Sequence, residues 1–322
     1  MPTPFALIHD DLKHVESEIL RNIYSDVSLI PEIGKHIFFS GGTRFRPALV
    51  ILCSRLFKPG DARCILLAGA IELIHTATLL HDDVVDRAEL RRGKRSVNSL
   101  WGNEASILVG DFLFSQAVLL TIKAGDVALL EILTDATKKM SEGEVFGLSL
   151  GHSVEISEEQ YMKLIYNKTA ALISAACMIG AILGGATKDQ YDRLKKFGRD
   201  VGTAFQLVDD VLDYSATSDE IGKPVGGDFS EQKATLPLIF TLREIGNNER
   251  SRITDLFFKA EKNDEDFQYV SKFVSDCGGI SYTMDKARRL IESAKGELDE
   301  LPGSEEKSAL AGLADYVITR NV

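Results

Sequence analysis

Cysteine, basic charge and β-strand patterning are all scarce in this chain, and each shortage removes a class of protein. The four cysteines, Cys53, Cys64, Cys177 and Cys277, stand singly among 322 residues. They lack the paired spacing of a zinc site or a disulfide framework. Buried thiols in a reducing compartment are expected. Lys and Arg number 37 against 48 Asp and Glu, a net charge of −11, which excludes a sequence-independent nucleic-acid binder, since such binding needs a basic surface. An anionic ligand must therefore find local cations. No series of short alternating segments suggests a sheet, and no linker or low-complexity tract divides the sequence, so a single all-α domain over 1–322 is expected. Asp10, Asp11, Glu16 and Glu18 interrupt the first stretch, leaving no basic-then-apolar signal pattern. The expected location is the cytoplasm. No Ser/His/Asp or Cys/His arrangement offers a nucleophile.

What the chain does have is helical periodicity, with 44% hydrophobic residues, enough for a large core. Leu7, Leu12, Val15, Ile19 and Ile23 mark an entry helix within 5–30, and further helices are expected over 48–57, 104–123, 127–150, 189–214, 249–261, 264–275, 280–300 and 304–319. Residues 169–187 carry no charge, which reaches the roughly 17–25 residues of a membrane span. Their Ala, Gly, Ser and Cys content and the absence of a second such run favour a buried central helix. No membrane span is expected.

One apolar run, from Ile65, ends in His81-Asp82-Asp83-Val84-Val85-Asp86. On a helix Asp82 and Asp86 share a face, where like charges repel, so the cluster calls for a cation. The device recurs at Asp209, Asp210 and Asp213. Oxygen-only ligands of this kind suit Mg²⁺, which completes its octahedron with water and substrate phosphates. Basic residues lie nearby: Arg44 and Arg46 in the loop Ser40 to Pro47, the run Arg91-Arg92-Gly93-Lys94-Arg95, Lys168 beside Thr169, Lys223 in a glycine-rich loop, and Lys233. Acids, metal and cations together fit a substrate diphosphate whose leaving charge is stabilised as a bond to carbon breaks. An apolar helical interior would shield a carbocation from water. Two other patterns read as weaker. His9-Asp10-Asp11 imitates the first cluster but has His14 where the third acid should be, and Glu72-x-x-His75 matches half of a di-iron site with no second copy.

In combination these motifs resemble the trans-polyprenyl diphosphate synthases, with matches from Gly41 to Pro237 and similar helices beyond, down to the ending Leu313 to Arg320. The resemblance implies an all-helical bundle around a deep central cavity, normally a homodimer, that joins isopentenyl diphosphate head-to-tail to an allylic diphosphate such as farnesyl or geranyl diphosphate. It implies three Mg²⁺ ions on Asp82, Asp86 and Asp209, with Asp83, Asp210 and Asp213 supporting them. Arg91, Lys168, Lys223 and Lys233 would grip the allylic diphosphate. Arg44, His75 and Arg92 would hold isopentenyl diphosphate, and Thr169 and Gln206 would line the reacting centre. The family commonly has Gly-Gly-Lys-Arg where this chain has Gly-Gly-Thr-Arg, so Thr43 stands in place of a cation.

Product length is expected to depend on the wall beneath Asp82. Short-chain members of the family place aromatic rings four or five positions before the first aspartate, whereas this chain has Thr78 and Ala77. The shaft therefore reads as open there, with Phe146, Phe112 or Phe114 as deeper floors, and a long all-trans product around octaprenyl is expected. The alternatives are a geranylgeranyl or farnesyl product, a cyclase, or a non-catalytic partner subunit of a heteromeric synthase. Both intact aspartate clusters argue against the last two.

Overall fold

The structure, a computed structural model, describes residues 4–58, 60–151, 153–215 and 226–320. A 3-10 turn, Ala6–Ile8, leads into α1 (His9–Asn22). The expected long entry helix is thus two helices, because the chain turns through Ser25, whose hydroxyl accepts from the Val27 amide at 3.2 Å, before α2 (Leu29–Phe38). Then come α3 (Phe45–Arg55), α4 (Arg63–Val85), a two-stranded antiparallel hairpin pairing Leu90 with Arg95 and Arg91 with Lys94, and α5 (Val97–Trp101). Two long helices follow, α6 (Asn103–Lys123) and α7 (Val127–Leu150). The Asp126 carboxylate starts α7 by accepting from the Ala128 amide at 3.0 Å. Next, α8 (Glu158–Ile165) opens with a Ser157/Gln160 capping box, satisfying two orphan amide donors.

From α8 the chain passes through a π turn, Tyr166–Ala170, directly into α9 (Ala171–Gly184), and α10 (Lys188–Ser215) returns alongside. The uncharged run is indeed a buried helix at the centre of the bundle. Its small residues explain how: a methyl at Gly180 would lie 2.6 Å from the Val50 carbonyl of α3, and one at Gly202 of α10 would lie 2.7 Å from the Ala170 Cα. Three backbones touch where side chains would keep them apart. The remaining elements are α11 (Gly227–Ser230), α12 (Leu236–Glu244), α13 (Asn247–Phe258), α14 (Asp264–Asp276), α15 (Gly279–Asp299) and α16 (Glu305–Thr319). α10 packs on α9 and α15, and α4 on α6, so both aspartate-bearing helices are gripped by neighbours.

One expectation needs correcting. By length and composition alone, three helical stretches could cross a membrane: Arg63–Val85, Asn103–Lys123 and Glu158–Gly184. The apolar windows of the first and third are 67% and 78% buried within the protein, whereas that of α6 is only 39% buried.

Candidate active site

A cavity of about 290 Å³ opens between the C-terminal part of α4, the loop before α3, the π turn and the middle of α10. Thr78, Leu79 and Asp82 line it from α4, Met140 from α7, Lys168 and Thr169 from the π turn, and Phe205, Gln206 and Asp209 from α10. Its other end is formed by Gly42, Thr43, Arg44, Phe45, Arg46, Glu72, His75 and Arg92. The structure thus brings both aspartate clusters and the basic loop to one space.

The six aspartates divide into two sets. Asp83, Asp210 and Asp213 are at most 2% exposed and are bonded to protein. Asp83 takes the Arg91 guanidinium at 2.5 Å; Asp213 accepts the Gly227 and Asp228 amides at 3.1 and 2.9 Å, capping α11. Asp210 is held by the Tyr161 hydroxyl on one oxygen and by Gln206 Nε2 at 2.8 Å on the other. Burial pushes the Asp210 carboxyl up to about 7 despite those two donors. Because Gln206 donates to Asp210, its carbonyl is left to accept from Thr169 Oγ1 at 2.7 Å, which fixes the orientation of both groups lining the cavity.

Asp82, Asp86 and Asp209 form the more accessible set, and cations partner two of them. Lys233 Nζ lies 2.8 Å from Asp86 and 2.7 Å from Glu231, and Arg320 lies 2.7 Å from Asp209. Burial raises the Asp82 carboxyl to about 6, with Lys168 opposing and Glu144 and Asp86 adding to the rise. Lys168 itself sits 2.7 Å from Glu144. Repulsion among bare acids, expected from the spacing alone, is therefore relieved by pairing within the ligand-free site. Among the described residues no three acidic, cysteine or histidine side chains gather into a metal cage. Carboxylate oxygens presented from two helices, without nitrogen or sulfur partners, nevertheless fit a hard cation that takes its other ligands from water and phosphate.

Several expected residues fall elsewhere. Arg44 is not a free anion ligand: it binds Glu16 at 3.0 Å, Glu72 at 3.1 Å and the Phe38 carbonyl at 3.0 Å. Glu72, thus engaged, also leaves the half di-iron pattern without its acid. Arg46, by contrast, keeps a donor to offer an anion: its Nε is buried with no hydrogen-bond partner, and burial pushes its pKa down to about 10. The cause is backbone geometry. Gly41 and Gly42 take φ of 96° and 141°, and Arg44 caps α3 in the left-handed region at φ 53°. α3 consequently starts at Phe45, three residues before the start at 48 expected from the sequence. Arg92, also left-handed at φ 52°, donates to the Gly41 carbonyl and closes this end of the cavity. Burial and then the charges of Arg46, Arg92, Arg91 and Arg44 hold His75 well below the usual imidazole value, so it is neutral.

Phe146 does not floor this cavity but lines a separate one with Lys138, Val145 and Lys163. Ala77 is 2% exposed and packs between helices, while Phe114 is surface-exposed and Phe112 packs against the core. Lys223 lies outside the described residues. Asp10 of the decoy triplet pairs loosely with Lys13 at 3.5 Å and Asp11 with Arg55 at 2.6 Å.

Sequence reasoning missed three participants. They are Tyr161, bonded to Asp210, Arg320, stacked 3.6 Å from the Phe205 ring centroid and paired with Asp209, and Glu144, paired with Lys168, none of which the motifs single out as a site residue. Only the approach of distant segments reveals them.

Comparison with known proteins follows from this geometry. The polyprenyl synthetase family model matches residues 27–274. Octaprenyl diphosphate synthase of Escherichia coli K12 is 38% identical over 315 residues, 98% of this chain and 97% of that protein. A polyprenyl synthase of Caulobacter crescentus CB15, solved with calcium and isoprenyl diphosphate, superposes with a TM-score of 0.96 at 37% identity, covering 99% of this chain and 97% of that one. A decaprenyl diphosphate synthase of Rhodobacter capsulatus superposes at 0.94 with 38% identity over 99% and 98% of the two chains.

Proposed function

This chain belongs to the polyprenyl synthetase family of prenyltransferases, and from that premise we propose that it condenses isopentenyl diphosphate with an allylic diphosphate into a long all-trans polyprenyl diphosphate, around octaprenyl. The observation that carries the reading is one cavity with two unlike ends: Asp82 and Asp209 at one, Arg46, neutral His75 and Arg92 at the other. Two diphosphates need two such ends. At the acidic end Arg91, Lys168 and Lys233 exchange their carboxylate partners for the allylic diphosphate, whose oxygens they can reach as charge-assisted donors. Asp82, Asp86 and Asp209 would hold Mg²⁺, which when bound supplies compensation for the charge that grows on the leaving diphosphate. At the other end Arg46 and Arg92 hold the diphosphate of the second substrate.

The carbon chemistry needs no nucleophile from the protein. The allylic C–O bond breaks, its electrons leave with diphosphate, and the resulting cation is attacked by the isopentenyl double bond. Loss of a proton to the departing diphosphate restores a double bond. Thr169 Oγ1 and Gln206 Oε1, fixed by the string through Asp210 to Tyr161, present oxygen rather than hydrogen toward neighbouring positive charge. The cavity's small volume supports a second reading, a geranylgeranyl or farnesyl product. Free, mostly buried thiols support a cytoplasmic location, and an exposed apolar face supports a homodimer.

The test is incubation with Mg²⁺, farnesyl diphosphate and labelled isopentenyl diphosphate, followed by sizing of the dephosphorylated products. Elongation should require divalent metal, and Asp82→Ala or Asp209→Ala should lower turnover roughly 10²- to 10³-fold, the scale of losing one preorganised electrostatic group. No elongated product from the wild type, or activity unaffected by a chelator, overturns the proposal.

A further inference from the structure

Of the three more accessible acids, Asp86 and Asp209 are each paired with a cation, Lys233 at 2.8 Å and Arg320 at 2.7 Å, and only Asp82 enters no ion pair with a described residue. A cation is nevertheless at hand. Burial works against the Lys168 ammonium, but Asp82 and then Glu144 outweigh it and hold its pKa above the ordinary lysine value. Two carboxylates thus draw on one ammonium, and the direct contact, at 2.7 Å, goes to Glu144.

Local geometry decides between them. Glu144 stands one helical turn beyond Met140 on α7, so it shares the face that Met140 presents to the cavity. Its neighbour Gly143 lets α7 lie against the π turn, since a methyl there would be 2.9 Å from both the Asn167 Cβ and the Lys168 amide. Glu144 and Lys168 therefore project from backbones in contact, and the lysine stem is anchored beside the glutamate before any ligand arrives. The pair is also easily exchanged. Its side chains are 33% and 38% exposed, and ion pairs this open to water contribute little to stability, so a multiply charged anion can take the ammonium from Glu144 at small cost.

The consequence falls on Asp82. An ammonium seated on its carboxylate would compete with a divalent cation for the same oxygens. We propose that Glu144 is a positioning residue that holds Lys168 off Asp82, keeping that carboxylate open to a divalent cation until a diphosphate draws the lysine away. The inference rests on the prenyl-elongation reading above and deepens it by naming a residue outside the aspartate clusters that sets how readily they take metal.

The experiment titrates substrate-free protein with Mn²⁺, following the free ion by electron paramagnetic resonance, in wild type, Glu144→Gln, Glu144→Asp, Lys168→Gln and the double variant Glu144→Gln/Lys168→Gln, each checked for folding by thermal melting. Glu144→Gln should weaken Mn²⁺ binding roughly 10-fold, the scale of losing a group that supports a metal site from behind its ligands. Glu144→Asp keeps the charge and should recover most of that loss. On the Lys168→Gln background there is no ammonium to hold, so Glu144→Gln should there change binding by less than about 3-fold, the remainder owed to a solvent-screened charge. The positioning role is overturned by an unchanged affinity in Glu144→Gln, by an equal loss on both backgrounds, by a loss in Glu144→Asp as large as in Glu144→Gln, or by a wild type that binds no Mn²⁺ without diphosphate. If Glu144→Gln fails to fold, Lys168→Gln decides: it should bind Mn²⁺ at least as tightly as wild type, and weaker binding overturns the role equally. None of these readings requires turnover, so the elongation reading fails separately, if wild type adds no isoprene unit to farnesyl diphosphate.

Discussion

Arg44 and Arg46 are two residues apart, equally basic and in one glycine-rich loop, so sequence alone cannot say which meets substrate. Burial and pairing separate them. Arg46→Gln should raise the KM for isopentenyl diphosphate about 10- to 100-fold, the value of a charge-assisted contact, with the melting temperature little changed. Arg44→Gln should do the reverse. It strands the buried Glu72 carboxylate and should cost on the order of 3 kcal/mol of stability, read in denaturant melts. If Arg44→Gln instead weakens isopentenyl binding and leaves stability alone, the roles drawn for the two arginines are exchanged. Thr43, exposed at the same end of the cavity, offers the complementary gain: Thr43→Lys should lower the KM for isopentenyl diphosphate and leave that for the allylic primer nearly unchanged. An increase in the isopentenyl KM would mean that the loop cannot aim a cation from this position. Aspartate clusters, by contrast, were legible as a site because nothing in helix packing accounts for three acids on one turn.

At the scale of elements, long amphipathic or apolar helices such as α7, α10 and α15 were legible within a residue or two, since periodicity and flanking turn residues agree. Short or irregular pieces were not. The separate α2, the hairpin at Leu90–Arg95 and the π turn at Tyr166–Ala170 arise from tertiary packing; a methyl at Gly143 would sit 2.9 Å from the Lys168 amide, so that glycine admits the π turn that presents Lys168 and Thr169. Another tertiary junction is Glu158 at the start of α8, which accepts from Lys286 at 2.6 Å and Tyr282 at 2.9 Å and pairs with Arg243 at 3.3 Å, tying α8 to α15 and α12. Burial works against this carboxylate, but Lys286 and Tyr282 outweigh it and hold the pKa below its ordinary 4.5. A depressed folded-state value means that the stabilisation is present above pH ~4.5 and is lost as pH falls through the folded-state value. Glu158→Gln should therefore lower stability by about 1–3 kcal/mol near neutral pH, and its melting temperature should approach that of wild type at pH 3. A gap between the two proteins that stays constant down to that pH would show that the junction does not depend on the charge.

The whole molecule leaves one surface unaccounted for. On α6, Leu108, Leu119 and Ile122 are 66%, 48% and 54% exposed, and Val145 and Leu148 on α7 are 64% and 66% exposed. Isolated apolar side chains on a surface need no explanation, but contiguous ones on neighbouring long helices mark an interface. Composition made this face invisible from sequence, because α6 is apolar nearly all round and periodicity could not show which side stays uncovered. A second copy of the chain fits it: homo-oligomers are commonly two-fold, with the same patch on each partner, and Asp111 and Ser115 interrupt the stripe with polar groups that hydrocarbon would disfavour. Sedimentation should then give about twice the 35.4 kDa chain mass, and Leu108→Arg combined with Leu119→Arg should give a folded monomer. Because α6 packs on α4 immediately behind the first aspartate cluster, the monomer should also lose activity beyond what dilution of the wild type produces. A wild type that sediments as a monomer and instead floats with lipid vesicles would assign this face to a membrane surface and end the dimer proposal.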